Sequence, residues 1–317
     1  MRIGFAVKVL GEGGIKECDM RRWQNGPHLR DSIGMLTEVF HYLDRADIRM
    51  YRMSSDIAPY LTHPDLPQFH RQLDEAAEDL TALGSLARKY DLRLSLHPSQ
   101  YIVLNAVDES VAEKSIQDLV AQGAILDRME LGSDAVVVTH VGGVYGDKEA
   151  GLERFARRYE ALPEETRKRL VVENDDVSYC VADVLRVHAL CGIRVIFDNL
   201  HHFCNNPAGV RHLSLREAFT RSLETWPAED TPKIHYSTTR TESVEAARKA
   251  GKAVAMSGYS AAPEPRLHSD YVNPFEFLML LENVGETRAF DVMVEAKSKD
   301  LAALKLRKDL EKYRPTI

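Results

Sequence analysis

"RLVVENDDVSYCVADVLRVHALCGIRVIFDN", residues 169–199, reads as two short apolar runs with a helix between them. "RLVVEN" (169–174) and "RVIFDN" (194–199) are nearly continuous Val, Ile, Leu and Phe, the pattern of strands covered on both faces. Between them Leu185, Val187, His188 and Leu190 fall at helical spacing. Strand, helix and strand in succession predict two parallel strands joined by a right-handed crossover. Both strands end on a carboxylate, Glu173 in the first and Asp198 in the second.

The same unit recurs along the chain. Further β-rich runs are "RIGFAV" (2–7), "IRMYRM" (48–53), "LRLSLH" (92–97), "AVVVTH" (135–140), "KIHYST" (233–238) and "FDVMVEAK" (290–297). Helical spacing links many of them, as in Leu73, Ala76, Ala77, Leu80, Leu83 and Ala87, or Val111, Ile116, Leu119, Val120 and Ile125. Eight such units predict a TIM (β/α)8 barrel, formed as a single domain over residues 1–317. A doubly wound open sheet is the alternative, but no Gly-rich phosphate fingerprint follows the first strand. Residues 239–270 read as one large βα loop, and "LAALKLRKDLEKY" (301–313) as a closing amphipathic helix with a solvated cationic face.

Composition narrows the class. The chain is 44% hydrophobic and 28% charged, as soluble globular proteins are. No apolar run approaches the ~18–20 residues of a membrane helix, and the N-terminus lacks a signal-peptide core, so a cytoplasmic protein without a membrane partner is expected. Cys18, Cys180, Cys191 and Cys204 are scattered without C-x-x-C spacing, which suggests neither a thiolate zinc site nor a disulfide framework. A net charge of −7 argues against broad electrostatic binding of nucleic acid, unless the acidic residues hold cations that reverse the local sign.

The strand ends carry the chemistry. His97, His140, Glu173, Asp198 and Glu295 end their runs, His235 sits in "KIHYS", His201 lies just past Asp198, and His268 lies in the long loop. Taken singly, each is more often a helix cap, an ion-pair partner or a satisfied core group. Taken together they converge, because in a barrel all these ends gather at one mouth. Buried carboxylates that close repel unless cations neutralise them. Imidazole with carboxylate suits Zn²⁺, Mn²⁺ or Fe²⁺, and eight groups exceed the needs of one ion. A cluster of two or three ions bridged by Glu173 is expected. Lys233, two residues before His235, shares its face. It is expected to be neutral, to be carboxylated as an anionic ligand, to contact a substrate phosphate, or to pair with a carboxylate just outside the ligand set. His202 is read as an outer neighbour or a solvated group.

"YRMSSDIAPYLTHPD", "LSLHPSQY", "THVGGVYGDK", "VVENDD", "FDNLHHF", "PKIHYS" and "DVMVEAKSKD" occur in this order and resemble the UV damage endonuclease family. The resemblance implies a TIM barrel related to endonuclease IV, with three metal ions, usually manganese, zinc or magnesium being alternatives. It implies incision of damaged double-stranded DNA immediately 5′ to cyclobutane dimers and (6-4) photoproducts, leaving a 3′-hydroxyl and a 5′-phosphate. It places the metal ligands at His97, His140, Glu173, Asp198, His201, His235, His268 and Glu295, with Glu173, Lys233 and His235 carrying catalysis. Lys233 matches a lysine that the family carboxylates, and Gln100 and Tyr101 match a pair that probes the lesion. At the first strand Phe5 and Val9 replace a tyrosine and an asparagine common in the family, so Phe5 is expected to stack on DNA without a hydroxyl. Lys8, Arg52, Lys297 and Lys299 are candidates for phosphate contacts. A monomer is expected, since DNA must reach the mouth. The alternatives are an apurinic-site endonuclease, a divalent-metal sugar isomerase or epimerase, and a metal-binding protein without activity.

Overall fold

The computed structural model describes residues 1–240 and 266–314. Eight parallel strands are present: β1 (Ile3–Ala6), β2 (Met50–Arg52), β3 (Arg93–Leu96), β4 (Val136–His140), β5 (Leu170–Glu173), β6 (Arg194–Ile196), β7 (Lys233–Tyr236) and β8 (Asp291–Val294). They pair in the order β6-β5-β4-β3-β2-β1-β8-β7. The two end strands meet through a parallel bridge, Asp198 opposite His235, where the His235 N–H donates to the Phe197 carbonyl at 3.0 Å. The sheet thus closes into the TIM barrel that the sequence predicts. Each strand is shorter than the apolar run that announced it.

Among the described residues the helices are α1 (Leu29–Arg45), α2 (Gln72–Glu75), α3 (Ala77–Lys89), α4 (Glu109–Arg128), α5 (Lys148–Glu160), α6 (Glu164–Arg169), α7 (Val181–Cys191), α8 (Asn199–Cys204), α9 (Leu215–Glu224), α10 (Pro274–Val284) and α11 (Lys299–Tyr313). Their starts are written locally. Asp108, Asp147 and Asn273 accept backbone N–H bonds as N-caps, and α10 opens on a proline. The stretch from Leu73 to Ala87 divides at Ala76, whose φ of −108° and ψ of 22° leave the helical region. Of the loop read at 239–270, residues 241–265 lie outside the described residues. No described helix is long and apolar enough to cross a membrane.

Strand alternation sorts side chains into two cores. Phe5, Tyr51, Leu94, Val137, Val172, Val195, Ile234 and Val292 face outward and join the helices in the main core. Val136, Val138, Val171 and Ile196 face inward and pack on Trp226, while Ala6, Met50 and Met293 form a second interior patch. Near the N-terminal ends of the strands Arg93 pairs with Asp291 at 2.8 Å, both side chains almost wholly buried. That leaves the inward positions at the opposite end for polar residues.

Candidate metal centre

Inward alternation on β4, β5, β7 and β8 delivers His140, Glu173, His235 and Glu295 to the C-terminal mouth, while His97 follows β3 and Asp198 follows β6. Glu173 is the hub and is 1% exposed. Its Oε2 lies 3.2 Å from His97 Nε2 and 3.9 Å from His140 Nε2. Its Oε1 lies 3.0 Å from His235 Nδ1 and 3.4 Å from His201 Nδ1. Glu295 Oε1 is 3.4 Å from His235 Nδ1. Two sets have ligand atoms within 4.8 Å of one another: His97, His140 and Glu173, and Glu173, Asp198 and His235. Glu173 belongs to both, as a bridging carboxylate would. His268 stands at the edge, bridged to Thr239, and its charge reaches Glu295.

Hydrogen bonding supports a cationic guest. The His97 ring can donate through Nδ1 to the Pro98 carbonyl at 3.0 Å. Burial pulls this imidazole down to about 4, against an opposing pull from Glu173, so it is neutral near pH 7. Its Nε2 lone pair then faces a carboxylate oxygen at 3.2 Å, two acceptors with no proton between them. A metal ion resolves that opposition. His140 Nδ1, Asp198 Oδ2 and both His235 ring nitrogens are buried without a hydrogen bond, the His235–Glu173 approach being close but poorly aimed. The donor set therefore fits divalent ions.

The carboxylates diverge in charge preference. Burial works against ionising Glu173, yet His235 and His140 hold it well below its usual value. Burial raises Asp198 despite His201. His201 is pushed up to about 11: burial opposes its charge, but Asp198 and Glu173 prevail. Lys233, fully buried among these groups, has no hydrogen bond at Nζ. Burial foremost, then Arg93 and Arg52, drive its ammonium well below the ordinary value. His202 is buried against Phe197, with burial lowering it to about 4, and belongs to neither ligand set.

Gln100 and Tyr101 stand exposed on the rim, Tyr101 at 77%. With His97, His140, His201, Tyr145 and Asp176 they line a cleft of about 650 Å³. A larger cavity, about 780 Å³, opens at the N-terminal ends of the strands among Arg169, Arg194 and Asp230, remote from these groups.

Phe5 requires a correction. It is 0% exposed, on the outward face of β1 against Tyr51, with ring centroids 5.2 Å apart. Gly4 and Ala6 take the inward positions, so Phe5 cannot stack on DNA. Val9 is buried in the same core. Arg52 is not a free phosphate contact, since its Nη1 donates to Glu295 inside the mouth.

Two residues that sequence reasoning missed hold the candidate ligands in place. The Asn174 side chain donates to the Asp198 carbonyl at 3.1 Å and accepts from the Asp198 N–H at 2.9 Å. Asn199 does the same for Ser237, both bonds at 2.9 Å. Each asparagine follows a strand-end carboxylate and clamps the next strand. The signal was the repeated acid–asparagine pair, Glu173–Asn174 and Asp198–Asn199.

A family model described as UV-endonuclease UvdE matches residues 28–316. The UV DNA damage endonuclease of Bacillus velezensis is 33% identical over 278 residues, covering 87% of this chain and 79% of that protein. The crystal structure of SacUVDE superposes with a TM-score of 0.80 at 28% identity, covering 98% of each chain. D-Psicose 3-epimerase from Clostridium cellulolyticum H10 shares the fold alone, with a TM-score of 0.54 and 9% identity over 99% of this chain and 92% of that one. The ligand cluster, the exposed Gln100–Tyr101 rim and a match over nearly the whole barrel agree, and the chain belongs to the UV-endonuclease UvdE family.

Proposed function

We propose that this protein is a DNA repair endonuclease that cuts the backbone immediately 5′ to UV photoproducts, leaving a 3′-hydroxyl and a 5′-phosphate. Cyclobutane dimers and (6-4) photoproducts are its substrates. The observation that carries the reading is Glu173, shared by two ligand sets beside an exposed aromatic rim. His97, His140, Glu173, Asp198, His201, His235, His268 and Glu295 would hold three Mn²⁺ ions. Ions held there would supply a water of lowered pKa and positive charge for the scissile phosphate and its departing oxygen. The chain's own contribution is placement: Asn174 and Asn199 fix the ligand-bearing backbone, and the apolar interior beneath keeps the ligands from solvent.

Recognition rests on deformability. A photoproduct pairs and stacks poorly, so extruding it costs less than extruding an intact pair. Tyr101 fills the gap by stacking and Gln100 bonds the orphaned bases. Tyr101 is too exposed to serve the core. Stacking worth ~1–3 kcal/mol makes Tyr101→Ala lose roughly 5- to 150-fold in preference for damaged duplex. The test is end-labelled duplex carrying a single photoproduct, with abasic and undamaged controls, incubated with Mn²⁺. Cutting confined to the abasic duplex overturns the substrate; preference unchanged in Tyr101→Ala overturns the wedge.

Lys233 is carboxylated in this reading. A neutral amine attacks carbon dioxide, the new N–C bond forms, and one proton leaves to solvent, giving a carbamate anion. Burial already pushes the Lys233 ammonium well below its ordinary value, which favours the neutral amine. Protein equilibrated with ¹³C-bicarbonate should show a carbamate resonance that Lys233→Met lacks; identical spectra would rule the modification out.

A further inference from the structure

Three cations converge at the mouth beside Glu295, from three different elements. Arg52 ends β2, Lys8 lies in the loop after β1, and Lys299 opens α11. The backbone around them is pinned. Val7 adopts a φ of 67°, its N–H donates to the Arg52 carbonyl at 2.8 Å, and Tyr51 Oη donates to the Val7 carbonyl at 2.5 Å. The buried Asp300 carboxylate accepts from the N–H groups of Leu10 and Gly11 at 2.8 and 2.9 Å, and from Tyr42 Oη at 2.6 Å. Lys8 therefore sits on a short span tied at both ends, one tie being the residue next to Lys299. Lys299 itself is held at a φ of 50°.

Among the described residues the Lys8 and Lys299 side chains have no hydrogen-bond or ion-pair partner, and the carboxylate near them, Glu295, already receives Arg52. They feel one another: burial, then Arg52, lower the Lys299 ammonium, Lys8 adds to this, and Glu295 opposes it. Gathering like charges works against folding, and the protein as a whole is acidic, with a net charge of −7. A pinned cluster of cations in that setting suits an anion supplied from outside.

We propose that Lys8 and Lys299 form a phosphodiester subsite for the backbone phosphate on the 5′ side of the cut, with Arg52 kept on Glu295 beside them. The proposal rests on the endonuclease reading above. Its polarity follows from the barrel. In a closed ring of eight strands β1 stands across from β5. The cations on the β8–β1–β2 side thus face the Tyr101–Asp176 cleft across the ligand cluster. A strand laid over the cluster with its lesion in that cleft presents its 3′ side there and its 5′ side to the cations.

The experiment measures duplex affinity against salt for the wild type and for Lys8→Gln combined with Lys299→Asn, asparagine being chosen because it tolerates positive φ. Each lost phosphate contact lowers the log–log salt slope by about 0.9. Between ~50 and ~200 mM salt the wild type should lose about 3.5-fold more affinity than the double variant. Lys299→Arg should keep the wild-type slope. A scan of single methylphosphonates should weaken the wild type at a phosphate 5′ of the cut and leave the double variant indifferent there. An unchanged slope, or sensitivity found only 3′ of the cut, overturns the subsite. Failure of wild-type protein to cut irradiated duplex overturns the endonuclease reading instead. The slope stays readable on intact duplex, and the scan on wild type alone stays decisive if the variant does not fold.

Discussion

Glu173→Gln should lower incision of irradiated duplex by at least about 10³-fold and strip most of the bound metal. The substitution keeps the shape and removes the charge. In the native site the two carboxylate oxygens divide their work, Oε2 toward His97 and His140 and Oε1 toward His201 and His235. An amide offers one acceptor and one N–H₂ group, so one side of the bridge becomes a donor aimed at imidazoles that need an electron-pair acceptor between them. Charge stabilisation of a phosphoryl transition state by bound ions is worth several kcal/mol, and about 4 kcal/mol corresponds to 10³ in rate. Stability should change as well. The folded carboxyl lies well below its reference value of 4.5, chiefly because His235 and His140 outweigh burial. Its contribution is therefore present above pH ~4.5 and is lost as pH falls through the folded value. Metal-free Glu173→Gln should be less stable than metal-free wild type at pH 7, and the gap should narrow in acid. Metal content by elemental analysis and single-turnover incision decide the matter: full activity with the ions retained would remove Glu173 from the centre of the site.

The strands and the polar groups at their ends were legible because they rest on short-range pattern. Eight apolar runs, each closing on or near a polar group, suffice for the barrel and for the convergence of His97, His140, Glu173, Asp198, His235 and Glu295 at its mouth. Lys233 was legible too, since a spacing of two fixes its face relative to His235. Phe5 was not. "RIGFAV" is apolar at nearly every position, so nothing local says which face turns inward, and a one-residue change of register reverses the answer. Glycine and alanine at positions 4 and 6 occupy the crowded interior, which sends Phe5 out to the helices. The Arg52–Glu295 pair joins residues 243 apart in sequence and is set by barrel closure, which no local pattern encodes. The asparagine clamps were written in the sequence, but asparagine after a strand reads equally well as an ordinary turn residue.

Asp291→Asn should cost roughly 3–5 kcal/mol of stability, the usual consequence of leaving one member of a buried ion pair without its partner. Arg93 is threaded into the N-terminal end of the barrel. Its Nη1 donates to Asp291 Oδ2 at 2.8 Å, its Nη2 to the Thr231 carbonyl at 2.8 Å, and its guanidinium lies 5.9 Å from the Trp226 ring centroid. Asp291 Oδ1 accepts the Arg2 N–H at 2.7 Å, tying β8 to the start of the chain. The two side chains are 2% and 7% exposed, so water cannot replace the lost charge. Asparagine keeps an acceptor but leaves a buried guanidinium uncompensated. Urea midpoints should report the loss, and the melting temperature should fall by about 5–8 °C. The companion variant separates charge from shape: Arg93→Met with Asp291→Leu removes both charges and should recover much of the stability, because the desolvation cost disappears with the pair. A loss below about 1 kcal/mol in Asp291→Asn would mean that the carbonyls of Thr231 and Pro232 satisfy Arg93 unaided. The pair lies at the end of the barrel opposite the ligands, so folded Asp291→Asn protein should still bind metal and cut damaged duplex in the cold. That combination of lost stability and retained chemistry is what a barrel with its reactive groups confined to one mouth demands.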